Sequence, residues 1–367
     1  MLYKKENPHG GDIYGKDKII LDFSANTNPL GTPKGVKDAI IDTMDSIDRY
    51  PDPYCRKLRE ALAGHEGVPE DYLICGNGAA EVIYAYCAAV GAGAAVEVAP
   101  TFAEYSIAGM RYGMYMKRYE LKAENGFVLD KGFLDYMATE NPQAVILCNP
   151  NNPTGKTIDK NLLREIIAYA KRKAIRVFID ECFLDMCDNV EHKGDKKAAV
   201  APAAKGSKLT LDATDLLYGN PHLFVLKAFT KSYGMAGVRL GYGMTSDIRL
   251  LEKMSEAAPP WNVSTMAQAA GIAALKEQEF LERSKAIVRA ERVWLAESLR
   301  GLGYRVIDSE TNYMLFEAGN NLEERLRARG IAIRNCRNFP GLSGEWYRIA
   351  VRTHEENMKL IAAMSNM

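Results

Sequence analysis

The sequence predicts an α/β protein: a large domain on a mostly parallel seven-stranded sheet flanked by helices, followed by a smaller α+β domain. Seven apolar, strand-length runs alternate with helix-like segments from about residue 70 to 265: YLICG, AAVEVAP, MYMKRYEL, AVILCNP, RVFIDE, LFVLKAF and RLGYGM. Stretches between them, such as LLREIIAYAKRKA, carry apolar residues at helical spacing. Near-continuous apolar strands separated by helices are those of a parallel sheet covered on both faces. Beyond this region the pattern changes to a long helical segment, about 266–300. Short strands YRVIDSE, YMLFEA and WYRIAVR follow, with a helix LEERLRARG among them.

A chain of 367 residues exceeds one typical core, so two domains are expected. The pattern divides into an N-terminal segment, 1–45, packing on the small domain, a large domain, 46–265, and the small domain, 266–367. Within the large domain, 188–208 (DNVEHKGDKKAAVAPAAKGSK) is rich in lysine and alanine and has no apolar periodicity. It reads as an exposed, mobile insertion; its acidic and polar neighbours dilute the charge a basic docking tail would need.

Composition excludes several classes. Lys+Arg and Asp+Glu both number 47, so the formal net charge is zero, which argues against a nucleic-acid or membrane-surface partner. The opening MLYKKENPHGGD does not read as a signal peptide, and no apolar run approaches the roughly 18 residues of a spanning helix. Seven cysteines without a C-x-x-C pair fit buried thiols in a reducing cytoplasm. The five histidines show no metal-ligand spacing, so no metal is expected.

In a parallel sheet, ligands bind beyond the carboxyl ends of the strands, so the residues after each strand matter most. After YLIC comes GNGAAEVI (76–83), whose small residues open a helix and can admit an anion to its N-terminal amides. An ordinary strand-to-helix turn reads the same way. After AVEVA comes PTFAEY, where Phe102 can stack on a planar ligand or simply belong to the core. NPNNPTG (149–155) is a rigid turn that can hold Asn152 toward a cleft, although turn chemistry alone explains it. RVFI ends on Asp180, a carboxylate that needs a cationic partner if buried. KAFTKSYGMAGVRLGYG then supplies Lys231 and Arg239. Together these are a phosphate cradle, an aromatic plate, an amide, a carboxylate and a lysine, in successive strand ends. That inventory suits pyridoxal 5′-phosphate, a flat phosphorylated pyridine aldehyde.

From about residue 20 to 365 the sequence resembles the fold-type I pyridoxal-phosphate enzymes of the class I/II aminotransferase superfamily. NPNNPTG, Asp180 and T-K-x-x-G-x-A-G-x-R-L-G-Y carry the resemblance. It implies that Lys231 bonds the cofactor aldehyde, Asp180 partners the pyridine nitrogen, Asn152 the phenolic oxygen, and Phe102 stacks on the ring. Gly78, Ala79, Ala80, Thr230 and Arg239 would hold the cofactor phosphate. Tyr50, in RYPDP, would reach the neighbouring subunit's phosphate, implying a homodimer. Arg348 would pair with the substrate α-carboxylate, as bidentate arginine geometry suits, and Asn28 falls among the substrate-binding residues.

Within that superfamily the sequence is similar to L-threonine-O-3-phosphate decarboxylases and to histidinol-phosphate aminotransferases. Four features favour the first: His9-Gly10-Gly11, Phe183 where most aminotransferases carry tyrosine, RNCRNFPGL (334–342), and Arg352. A doubly charged substrate phosphate needs extra donors, and His9, Arg334, Arg348 and Arg352 would hold it together with the carboxylate. The expected reaction is decarboxylation of L-threonine O-3-phosphate to (R)-1-amino-2-propanol phosphate and CO2, in cobalamin biosynthesis. The alternative is an aminotransferase acting on histidinol phosphate or an aromatic amino acid with 2-oxoglutarate. A non-catalytic sensing module would require a fused DNA-binding segment, for which the ends leave no room. Ala228 departs from the family, where Ser or Thr bonds the phosphate; one donor fewer is worth about 1 kcal/mol.

Overall fold

The computed structural model describes residues 9–15, 18–191, 209–319 and 321–367. The N-terminal segment contributes strand β1 (Leu21–Asp22) and helix α1 (Lys34–Ile41), and α2 (Arg56–Glu66) leads into the large sheet. Its first strands are β2 (Leu73–Asn77), β3 (Gly93–Ala99), β4 (Met114–Glu120), β5 (Ala144–Cys148) and β6 (Arg176–Asp180). Helices α3 (Gly78–Val90), α4 (Glu104–Arg111), α5 (Gly132–Glu140) and α6 (Lys160–Arg172) lie between them. A short parallel pair, β7 (Val190–Glu191) and β8 (Thr210–Leu211), precedes β9 (Leu223–Ala228). One helical turn, α7 (Phe229–Ser232), separates β9 from β10 (Leu240–Met244).

All seven apolar runs are strands of one sheet, in the order β2-β10-β9-β6-β5-β3-β4. Only β10 runs antiparallel to its neighbours. Alternate residues feed opposite cores: Val177, Ile179 and Val225 pack on one face, Ile146, Phe178 and Phe224 on the other. Both faces are buried, so the strands are apolar at every position rather than alternately. Helix α6 shows why such a helix starts where it does. Asp159 accepts from the amides of Asn161 and Leu162 at 3.0 and 3.2 Å, a cap worth about 1 kcal/mol. Leu162, Leu163, Ile166, Ile167 and Ala170 then bury one face against the sheet.

After α8 (Ile248–Ala257), the helical segment expected over 266–300 is two helices, α9 (Thr265–Ala274) and α10 (Gln278–Gly301). The amides of Lys276 and Glu277 donate to the carbonyls of Ala273 and Ala274, both at 3.0 Å, tightening the chain into a turn. Apolar spacing runs through this turn, but α9 packs on α1 and α2 while α10 faces the C-terminal part. There β11 (Arg305–Val306), β12 (Tyr313–Glu317), α11 (Leu322–Arg327), β13 (Ile331–Ala332), β14 (Arg334–Asn335), β15 (Trp346–Ala350) and α12 (His354–Ser365) follow. Four of these strands form a sheet in the order β11-β12-β15-β14, and β1 pairs in parallel with β13.

The insertion expected over 188–208 needs correction at its start. Asp188 pairs with Arg289 and Arg292 of α10 at 2.7 and 3.2 Å, and Asn189 and Val190 are buried. The polar look of DNVE hides partners far along the chain. Residues 192–208, the rest of that expectation, lie outside the described residues.

Candidate active site

Strands β2, β3, β5, β6 and β9 all end at one edge of the sheet, where the loops after them enclose a cavity of about 480 Å³. Ala79, Ala80, Phe102, Asn152, Asp180, Thr230, Lys231 and Arg239 line it from the large sheet's side. His9, Arg334 and Arg348 close it from the N-terminal segment and the small sheet.

The anion cradle is the start of α3. No side chain caps its first turn, so its N-terminal amides remain directed at the cavity wall formed by Ala79 and Ala80. Gly78 is not on that wall; it makes room behind it. Its φ is +78°, and a Cβ there would lie 2.5 Å from a terminal guanidinium nitrogen of Arg239. Glycine thus lets the Arg239 cation sit against the helix start, and both favour a phosphate.

Asp180 is 6% exposed and has no ion-pair partner among the described residues. The Tyr105 hydroxyl donates to one of its oxygens at 2.7 Å and the Cys182 amide to the other at 2.9 Å. Burial raises the carboxyl's pKa, and these donors with Lys231 oppose the rise only partly. A cationic ring nitrogen placed beside it would supply the missing charge. Lys231 lies in the single turn α7 after β9, with its ammonium nitrogen 5.5 Å from the centre of the Phe183 ring. Burial first, then the nearby Arg348, lower its pKa to about 8. An amine poised to lose its proton near neutrality is what carbonyl chemistry requires.

In NPNNPTG the asparagines divide their tasks. Asn149 accepts from the Ile158 amide at 2.8 Å, and Asn151 donates to the Pro100 carbonyl at 2.9 Å. Only Asn152 reaches the cavity, where its side-chain oxygen accepts from Arg348. Arg348 also donates to the Ser24 carbonyl at 2.8 Å, while its Nε is buried without a partner among the described residues. Burial brings its pKa down to about 10. Asn26 Oδ1, on the same wall, is likewise buried and unpartnered. Arg334 stands directly opposite Arg348 across the β14–β15 pair. Like charges in that arrangement repel, so the pair favours an anion between or beside them.

Three expected residues do not meet the others. Asn28 is a clamp: its amide donates to the Ser232 carbonyl and to Ser284 Oγ, both at 2.7 Å, tying the Lys231 turn to α10. The Arg352 guanidinium instead bonds Glu356 at 2.9 Å, inside the capping box that opens α12. Tyr50 is 79% exposed and stacks on Trp261 with centroids 4.7 Å apart. Ala228 borders a second cavity behind α7 rather than the main one, so the family's hydroxyl has no counterpart on the cavity wall at that position. Tyr105, Glu104 and Ser24 escaped the sequence reading. Glu104 and Tyr105 lie within PTFAEY, where Phe102 alone was singled out, and their place after the same strand was the available signal.

The residues fit pyridoxal phosphate on their own chemistry: a buried, unpaired carboxylate, a lysine of lowered pKa, an aromatic plate and an amide-and-arginine anion cradle. Among the described residues no cluster could hold a metal ion, and no helix is long and apolar enough to cross a membrane. The chain matches the class I and II aminotransferase family over residues 18–364. It is 34% identical to the threonine-phosphate decarboxylase of Salmonella typhimurium, over 98% of this chain and 96% of that one. It is 30% identical to the adenosylcobalamin biosynthesis bifunctional protein CobDQ of Leptospira interrogans, over 98% of this chain and 41% of that protein. The crystal structure of the histidinol-phosphate aminotransferase from Clostridium acetobutylicum superposes with a TM-score of 0.83 at 27% identity, covering 95% and 98% of the two chains. With its seven-stranded sheet and matched motifs, the chain belongs to the class I and II aminotransferase family of fold-type I pyridoxal-phosphate enzymes.

Proposed function

We propose that the enzyme decarboxylates L-threonine O-3-phosphate, giving (R)-1-amino-2-propanol phosphate and CO2 for cobalamin biosynthesis. The observation that carries this is the presence of two groupings of donors to anions around one cavity. Arg348 is buried with Asn152 and Ser24, while Arg334 and His9 stand on the more open side. Threonine phosphate brings two anionic groups to match them; histidinol phosphate brings one. The 34% identity to a threonine-phosphate decarboxylase supports the same reading. Arg352 no longer does, since Glu356 holds it.

Bound pyridoxal phosphate supplies the aldehyde and a ring that accepts the electron pair left at Cα. Asp180 would hold a proton on the ring nitrogen. Arg348, oriented by Asn152 and the Ser24 carbonyl, would fix the direction of the substrate carboxylate and so select the bond that breaks. Lys231 Nζ would hold the cofactor and is the group on this wall that would return a proton to Cα. Phe102 and Phe183 keep water from the reacting face.

The proposed unit is a homodimer in which Tyr50 of each chain serves the other's phosphate site. Ile41, Met44, Ile47, Tyr50, Tyr54 and Trp261 are all exposed, and Trp261 stacks on Tyr50, which supports a covered surface there. The seven free, buried cysteines support a reducing, cytoplasmic setting.

Incubating the holoenzyme with L-threonine O-3-phosphate and no oxo acid tests the reaction. CO2 and an equimolar amine are expected. Turnover of histidinol phosphate that depends on 2-oxoglutarate, with none of threonine phosphate, would favour the aminotransferase instead.

A further inference from the structure

The cavity that would receive a phosphate dianion also contains a carboxylate. Glu104, the first residue of α4, lines the wall with its side chain 13% exposed. An anion there should repel a phosphate group unless its charge is answered locally. Nε2 of His9 donates to Glu104 Oε1 at 2.7 Å, and the Tyr84 hydroxyl donates to Oε2 at 2.9 Å. Burial, then Glu104 itself, pushes the Tyr84 phenol up to about 12, so it stays a donor at any working pH.

The segment carrying His9 is itself fixed. A Cβ on Gly10 would lie 2.2 Å from the Ser24 carbonyl oxygen, so only glycine permits that approach. The Gly11 amide donates to Ser24 Oγ at 2.8 Å, and the Ser24 carbonyl is the one Arg348 reaches. His9 also meets the Phe102 ring, with centroids 5.4 Å apart and planes tilted 43°. HGG is therefore a fitted strap rather than a loose entry: it is clipped to Glu104 at His9 and to Ser24 at Gly11.

We propose that Glu104 is a positioning residue for His9, and that the His9–Glu104 pair sets the site's preference for a phosphate-bearing substrate. This deepens, and rests on, the reading of a phosphorylated substrate given above. Glu104 orients the imidazole, and the imidazole masks Glu104. A sign follows that a merely structural contact would not produce. Removing His9 takes away one of the groups that answer the carboxylate and leaves more of its charge facing the ligand, whereas neutralising both residues relieves that repulsion.

Calorimetry on the holoenzyme, with O-phosphoethanolamine against ethanolamine, measures the affinity increment due to phosphate without depending on which substrate bond breaks. His9→Ala should cut that increment about tenfold or more, and Glu104→Gln by no more than about threefold. The double variant His9→Ala/Glu104→Gln should recover at least about threefold over His9→Ala, a non-additivity expected only of directly coupled groups. Glu104→Ala in the His9→Ala background repeats the test with a different side chain. A double variant equal to or weaker than His9→Ala, or variants that change both ligands alike, would overturn the proposal. A wild-type enzyme with no phosphate increment would overturn it together with the reading beneath it, while an enzyme that proves to transaminate phosphorylated amines leaves it standing.

Discussion

Arg348, in β15, and Arg352, just beyond it, are close in sequence and have unrelated surroundings. Arg348 is buried at the cavity with an Nε that has no partner among the described residues, whereas the Arg352 guanidinium is held by Glu356. Arg348→Ala should therefore lower kcat/KM by about 100-fold or more, as loss of a buried charge partner does. Arg352→Ala should leave kcat/KM within about threefold and cost a few tenths of a kcal/mol of stability, the usual worth of a partly exposed helix-end pair. Steady-state kinetics and thermal melting read both. Lys231 carries a pH prediction. With its pKa lowered to about 8, the amine is protonated and unreactive below that value and neutral above it. Labelling of the apoenzyme lysine by an amine-reactive probe should rise with pH, reach half-maximum near pH 8, and then level off; a midpoint above pH 10 would contradict the assignment. Lys231→Ala should abolish the bound cofactor's visible absorbance along with turnover.

At the scale of elements, the strand ends explain what was legible. In a parallel sheet each strand delivers its last residues to the same edge, so Asp180, Asn152 and Lys231 could be placed together from chain order alone. Side-chain direction has no such rule. Asn28 and Arg352 lie within a few residues of true wall residues, Asn26 and Arg348, yet point to Ser284 and Glu356. The α9–α10 break was invisible because apolar spacing continues through it, and the ion pair of Asp188 with α10 because its partners are remote in sequence. The β2–α3 junction yields its own prediction. Gly78→Ala combines a positive φ with a clash against Arg239, so it should destabilise the fold by about 1–3 kcal/mol. Displacing the arginine should also weaken cofactor binding. Melting temperature and a cofactor titration separate the two effects.

For the whole molecule, the division between two sheets sets the chemistry. The large sheet's edge holds the residues suited to the cofactor; the small sheet and the N-terminal strap, joined through β1 and β13, bring Arg334, Arg348 and His9. That split was partly legible: the cofactor half follows from strand ends, while the fitting of HGG against Ser24 and Glu104 requires the assembled chain. The proposed dimer gives the exposed Tyr50–Trp261 stack a partner. Trp261→Arg should convert a two-chain species into single chains in sedimentation, with activity falling alongside. The central claim, that the carboxylate bond breaks rather than the Cα–H bond, is tested most directly by NMR of the reaction in D2O without an oxo acid. The account predicts CO2 release and amino-propanol phosphate carrying one deuterium at C1. Threonine phosphate that exchanges its Cα hydrogen for deuterium while retaining its carboxylate would contradict it.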